Sequence, residues 1–152
     1  MGESHRFMKR LLQYLFLFWF GGSIYLEIEL LYRGYSFWTM FTLGGIIFLL
    51  CGALNEIWSW SLNLPWQVLI GTGITTLLEF IVGVICNIWL GLNMWDYSNL
   101  PGNILGQIAP QFIVLWVPLI LIAIVVDDVI KWKFFHEEAP KYWIGNKLIE
   151  FK

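Results

Sequence analysis

The sequence predicts an all-α integral membrane protein with four transmembrane helices and both termini in the cytoplasm. Apolar residues make up 59% of the 152-residue chain and charged residues only 13%, whereas a soluble domain has about 25% charged residues. Four apolar stretches are each long enough to cross a bilayer, which takes roughly 20 residues. Eight of the nine basic residues flank the first and last stretches, and an excess of Lys and Arg marks cytoplasmic segments.

The first two helices are predicted over residues 11–32 and 37–57. Basic residues precede the first stretch, and apolar residues resume after the Gly21-Gly22-Ser23 segment. The resulting run is too long for the apolar region of a cleaved signal peptide. Arg33 follows it and is the one basic residue expected on the outer side, together with the long 91–107 connection.

The third and fourth helices are predicted over residues 65–90 and 108–130. Pro65 suits the first turn of a helix, while Pro110 and Pro118 could kink the fourth helix, which neighbouring helices in a membrane tolerate. We expect the charged segment from Asp127 to continue the fourth helix into the cytoplasm. The predicted organisation is a transmembrane domain over residues 1–135 and a short cytoplasmic tail over 136–152.

Glu79 is the most informative residue, because a carboxylate near the bilayer midplane is costly and rarely lacks a partner or a role. Helical spacing places it on one polar, small-residue face of the third helix, which comprises Thr72, Thr76, Glu79, Gly83 and Asn87. This face should point inward. It is either a sealed seam between helices or the wall of a proton- or cation-linked site.

Three further charged residues are expected near the outer side and one near the inner side. Glu29 and Arg33 are four residues apart in the favourable order for an ion pair, which would serve either as a stabilising pair or as part of an outer gate. Asp96 is expected on the same side as Arg33. Glu56 should lie near the cytoplasmic end of the second helix, beyond a seam that contains Gly45 and Gly52.

The connection over residues 91–107 is rich in turn-forming residues, including Asp96, Ser98, Asn99 and Pro101. Such residues favour turns through local side-chain hydrogen bonds and restricted or permissive backbone angles. The sequence leaves two interpretations open: a lid that folds back over the helices, or a simple connection between two spans.

The sequence lacks the motifs that are typical of ATP hydrolysis, metal binding, triad catalysis and nucleic-acid binding. No GxxxxGK[ST] motif is present, so any ATPase would be a separate chain. Only two histidines occur, both near the chain ends, so neither a metal site nor a catalytic triad is expected, and we predict no enzyme activity and no cofactor. No basic stripe indicates nucleic-acid binding.

Several segments resemble a family of small bacterial membrane proteins known as the "putative ABC-transporter type IV" family, common in Firmicutes. The similar segments are Gly21–Tyr25, Tyr32–Ser36, Gly44-Gly45, Asn55-Glu56, Leu78–Phe80, Trp95–Asn99 and Gly106-Gln107. The resemblance extends over roughly residues 20–142 and implies transport at the bacterial inner membrane. Phe37 departs from the His that relatives often carry there.

The sequence therefore favours a permease-like protein that moves a small solute or ion with Glu79 as the titratable group. The pathway would involve the stripe residues Thr72, Thr76 and Asn87, with Glu29, Arg33, Asp96 and Glu56 towards the two sides. Four helices leave little room for a pathway within one chain, so we expect a homo-oligomer with small-residue faces at its interfaces. The alternative is a non-transporting scaffold or an accessory subunit of a larger membrane complex that includes a separate ATPase.

Overall fold

The computed structural model describes residues 2–58 and 60–152 and contains a bundle of four long helices. They are α1 (Gly2–Arg33), α2 (Trp38–Trp58), α3 (Leu64–Gly83), which runs into a π-helical segment (Val84–Trp89), and α4 (Pro110–Phe135). All four are long and apolar enough to cross a membrane, which confirms the predicted fold class. Met1 and Ser59, which both fall within the predicted transmembrane domain 1–135, lie outside the described residues.

The bundle has two distinct ends. The loop end carries the 34–37 and 90–109 connections, and the terminal end carries both chain termini and the connection before α3. α1 and α2 are antiparallel, because Gly21 lies beside Phe48 whereas the later Tyr25 lies beside the earlier Gly44. α3 and α4 are also antiparallel, because Gly71 lies beside Ile120 whereas the later Glu79 bonds the earlier Trp116. The cytoplasmic location of the terminal end remains a prediction from the basic residues.

Helix boundaries differ from the predicted ones chiefly at the chain ends. α1 begins at Gly2 and not at residue 11, so the basic residues of the N-terminal segment are helical. α4 begins at Pro110, where a missing N–H costs nothing, and continues to Phe135 through Pro118. The start of α1 and the end of α4 extend beyond the apolar stretches, because charged residues with good helix propensity can continue a helix into water.

Glycines allow α1 and α2 to pack closely. A Cβ at Gly44 would collide with Tyr25, and one at Gly21 would collide with Phe48. Gly22 and Gly45 similarly face Phe41 and Phe18. Aromatic side chains of the same chain therefore occupy these small-residue faces of α1 and α2, and the predicted homo-oligomer stays a prediction.

The middle of the bundle is an apolar layer. Cys51, Ile120 and Ile124 are almost completely buried, and Gly71 packs against Ile120 and Cys51. The outer helix faces expose large apolar side chains, among them Leu31, Trp38, Leu77 and Val114. An exposed apolar surface of this extent fits contact with lipid hydrocarbon.

As predicted, the charged segment from Asp127 continues α4, but the helix ends at Phe135 and the remaining residues do not extend it. His136 adopts a left-handed conformation with φ of 59° at the end of α4. An antiparallel hairpin follows, formed by β1 (Lys141–Ile144) and β2 (Lys147–Glu150). Its two-residue turn includes Gly145 at φ of 61°, a conformation that glycine adopts without strain. Tyr142 is 2% exposed and attaches the hairpin to the terminal end.

Candidate functional site

A cavity of about 490 Å³ lies at the loop end, between α1, α3, α4 and the 90–109 connection. We call it the loop-end cavity. It reaches the surface beside the exposed residues Tyr32 and Tyr35. Glu79 and the predicted rim residues Glu29, Arg33 and Asp96 all line it. Four of the eight predicted site residues, from three separate parts of the chain, therefore share one cavity.

Glu79 forms the inner wall of this cavity and is only 3% exposed. Trp116 Nε1 donates a hydrogen bond of 2.8 Å to Oε2, and the Tyr97 hydroxyl donates one of 3.4 Å to Oε1. Burial, and then the nearby Glu79 carboxylate, raise the pKa of Tyr97. Its phenol therefore stays protonated and can act as a donor. Both donors are neutral, so the carboxylate is hydrogen-bonded without being neutralised.

Ring stacking holds both donors in place. The Trp116 ring stacks on Tyr25 with centroids 5.7 Å apart, and the Tyr97 ring stacks on Phe112 at 4.3 Å. Such pairs add to the stabilisation that ring burial gives. α1, α4 and the connection thus each contribute at least one aromatic ring to the surroundings of this carboxylate.

The rim contains one complete ion pair. Arg33 Nη2 lies 2.7 Å from Glu29 Oε2, and Arg33 Nη1 donates to the Met94 carbonyl at 2.7 Å. Asp96 accepts hydrogen bonds from the backbone N–H and hydroxyl of Ser98, which lower its pKa. In the described part of the chain Asp96 is not paired with Arg33, because these local bonds turn its carboxylate back onto the connection.

Asn87 anchors the connection and is not part of the cavity wall. Its Nδ2 donates to the Trp95 carbonyl at 3.0 Å and to Gln107 Oε1 at 2.8 Å. Its Oδ1 accepts from the Met94 N–H at 2.6 Å. These bonds fold the connection back over the helices and bring Tyr97 to Glu79. Of the two interpretations left open by the sequence, the geometry is that of a lid.

Thr72 and Thr76 also lie away from the cavity. They line a separate apolar groove between α3 and residues of the connection and α4, including Ile104, Ile108 and Ile113. Their hydroxyls make no hydrogen bond within the described residues. The polar face of α3 is therefore partly buried as predicted, but its residues do not share one site. Thr72 and Thr76 line the groove, Glu79 lines the loop-end cavity, and Asn87 holds the connection.

A second polar site lies at the terminal end, and we call it the terminal-end cluster. Lys131 is 4% exposed, and its Nζ lies 2.7 Å from Asp127 Oδ2 and 2.5 Å from Glu56 Oε1. Asp128 Oδ2 accepts hydrogen bonds from Asn55 Nδ2 at 2.6 Å and from the Tyr142 hydroxyl at 2.7 Å. The cluster joins α2, α4 and the hairpin, with Asp127 fully buried beside Gly52.

The charged segment from Asp127 is therefore buried against α2 and the hairpin, and Asp127 and Asp128 are buried carboxylates in addition to Glu79. Asp127 and Trp116 are eleven residues apart on α4, which corresponds to about 16 Å along the helix axis. The apolar layer of Cys51, Gly71 and Ile120 separates the two polar sites.

Sequence reasoning missed the aromatic partners of Glu79 and the residues around Lys131. One signal was available: Trp116 lies inside the fourth apolar stretch and not at its edge, where Trp is usual, and a buried indole N–H needs an acceptor. Within residues 2–58 and 60–152, no group of three or more His, Cys, Asp or Glu side chains could hold a metal ion.

Comparison with known proteins agrees with the resemblance seen in the sequence. The sequence model of one family, described as "Putative ABC-transporter type IV", matches residues 10–146. No curated protein and no solved structure matches the chain. A match over nearly the whole length includes α1 from Arg10 onwards, the other three helices, the lid connection and the first strand of the hairpin. The chain therefore belongs to the "Putative ABC-transporter type IV" family of membrane proteins.

Proposed function

We propose that this protein is permease-like and moves a small solute or ion, with Glu79 as the membrane-embedded titratable group. The observation that carries the proposal is the position of Glu79 at the inner wall of a cavity open at one end of the bundle. Hydrogen bonds from neutral donors offset part of the cost of burying this carboxylate. Because they add no positive charge, the carboxylate can still take up and release a proton or a cation.

The other predicted residues take distinct roles in this proposal. The Glu29–Arg33 pair and Asp96 form the rim through which a solute would enter. Glu56 lies at the opposite end, within the terminal-end cluster. The apolar layer at Cys51 and Ile120 would have to open between these two ends, either within one chain or through association with a second copy.

Electrical recording from proteoliposomes on a solid-supported membrane tests the proposal. Solutions of inorganic ions, amines and organic cations are applied with and without a pH gradient. We expect a transient current with wild-type protein, a loss of most of that current with Glu79→Gln, and retention with Glu27→Gln. Glu27 is an exposed carboxylate of α1 outside the cavity, so it controls for the chemical change itself.

A different result would overturn the proposal. Equal currents from wild-type and Glu79→Gln protein would exclude Glu79 as the coupling group. No current with any solute would favour the second candidate, an accessory subunit of a larger membrane complex.

The second candidate is favoured by family membership together with the lack of a phosphate-binding loop motif in this sequence. A separate ATPase would then supply the energy. Purification of the tagged chain from its native membranes should yield vanadate-sensitive ATP hydrolysis in the same gel-filtration peak. Purification of the chain alone, with transport activity in liposomes, would contradict this candidate.

A further inference from the structure

We infer that the loop-end cavity binds a monovalent organic cation with an apolar body, whose charged centre lies against Glu79 and its aromatic neighbours. This inference deepens the proposed function and rests on it for the location of the site. It names the chemical class of the ligand, which neither the sequence nor the family description supplies.

The first observation is an imbalance of charge. The Glu29 carboxylate is compensated by Arg33, and Asp96 is exposed and bonded to Ser98. Among the residues that the structure describes, Glu79 receives bonds from Trp116 and Tyr97 only, so no basic side chain neutralises it. An ionised carboxylate in an apolar surrounding is strongly disfavoured without a counter-charge. Glu79 must therefore either carry a proton or have a cation bound beside it.

The second observation is the kind of surface next to this carboxylate. The rings of Tyr25, Trp116, Tyr97 and Phe112 all line the cavity. Ring faces attract cations, and Trp and Tyr are among the best. Calcium takes six to eight oxygen ligands and magnesium keeps several of its waters. The immediate surroundings of Glu79 offer one carboxylate, an N–H donor, an O–H donor and aromatic rings, while Glu29 and Asp96 are already bonded to Arg33 and Ser98. A substituted ammonium or phosphonium centre fits that combination better than a metal ion.

The third observation concerns the space beside the charged centre. An apolar cavity of about 230 Å³ between α1, α2 and α4 shares four lining residues with the loop-end cavity, which are Tyr25, Ile28, Trp116 and Leu119. The rest of its wall consists of Phe, Gly, Ile, Ala and Val residues. A ligand centred at Glu79 can therefore extend its hydrocarbon portion along α4, where its burial is favourable.

Two sources could provide this chemistry, a free lipophilic cation or the choline head group of a lipid with its attached chains. Both place a quaternary ammonium next to Glu79 and hydrocarbon in the apolar cavity. Competition by lipids of defined head group separates the two sources without changing the inferred class of ligand.

Binding of tetraphenylphosphonium to the purified full chain tests the inference by equilibrium dialysis in detergent, with tetraphenylborate as the anion of the same shape. We expect saturable binding of the cation to wild-type protein, at least tenfold weaker binding to Glu79→Gln, and unchanged binding to Glu27→Gln. The borate should bind no more tightly to wild-type protein than to Glu79→Gln. Repetition in nanodiscs of phosphatidylcholine and of phosphatidylglycerol identifies the source, because choline lipid would compete with the probe.

Equal affinity of wild-type and folded Glu79→Gln protein for the cation would overturn the inference. If Glu79→Gln does not fold, the test rests on the wild-type protein, which should bind tetraphenylphosphonium more tightly than tetraphenylborate. Equal or weaker binding of tetraphenylphosphonium overturns the inference. Binding without flux would contradict the proposed function and leave the ligand class intact. Flux of another ion, without cation binding, would contradict the ligand class alone.

Discussion

At the scale of single residues, Trp116 is central because it gives Glu79 its shortest hydrogen bond, at 2.8 Å. Trp116→Phe keeps a ring against Tyr25 and removes the N–H donor. We expect a loss of stability of about 1–3 kcal/mol, the usual cost of leaving a buried group without its partner. Thermal unfolding in detergent, followed by circular dichroism, measures it. Trp89→Phe, at an exposed position, is the control, and equal transitions for the two variants would contradict the expectation.

Gly52 marks a point of close contact between α2 and α4. A Cβ at this position would collide with the Asp127 carboxylate, which is fully buried and cannot turn towards water. Gly52→Ala should destabilise the protein by about 1–3 kcal/mol through overpacking.

Gly73→Ala is the matched change, because no atom lies within 4 Å of the added Cβ. There the higher helix propensity of Ala should leave the unfolding temperature unchanged or raise it. A similar loss for both variants would show that Gly52 has no special packing role.

At the scale of elements, the lid connection depends on Asn87 at the end of the third span. Asn87→Ala removes three hydrogen bonds to residues of the connection. We expect faster amide hydrogen exchange over residues 94–107, because these bonds hold that segment on the helices. Asn99→Ala, at an exposed position of the same connection, should leave the exchange unchanged. Unaltered protection in both variants would mean that other contacts hold the lid.

The terminal-end cluster joins α2 and α4 through Lys131. Lys131→Met would leave Asp127 and Glu56 without the ammonium that lies within 2.7 Å of both. Removing one partner of a buried ion pair costs about 3–5 kcal/mol. Lys133→Met, an exposed position in the same helical turn, provides the control. Unfolding temperatures measured in detergent should separate the two, and a small effect at Lys131 would contradict the importance of this cluster.

The elements differ in how well the sequence predicts them. The four helices follow directly from long apolar stretches, since an unpaired backbone cannot remain in hydrocarbon. The hairpin after residue 140 is too short to show a clear pattern, and it forms against the buried end of α4. Asp127 and Lys131 look like a solvated helix end in the sequence, because charge alone does not reveal that the hairpin and α2 enclose them.

At the scale of the whole molecule, the orientation in the membrane is a prediction from the basic residues. Introduced cysteines at Asn99 and Lys152 test it, because Cys51 and Cys86 are buried. In cells whose wall has been removed and whose cell membrane is intact, a membrane-impermeant maleimide should label the Asn99→Cys variant. It should label the Lys152→Cys variant only after the membrane has been permeabilised. The reverse pattern would place the loop-end cavity in the cytoplasm.

The membrane class and the four spans could be predicted from composition and from the length of the apolar stretches, because neither depends on tertiary contacts. The family resemblance rested on short segments of similar residues, and the costly position of Glu79 followed from its place within an apolar stretch. The groups around Glu79 could be identified in the folded chain alone, because Trp116 and Tyr97 lie 37 and 18 residues away in the sequence. The same holds for the second buried cluster and for glycines such as Gly21, Gly44 and Gly71, where a side chain of a neighbouring helix occupies the space that a Cβ would need.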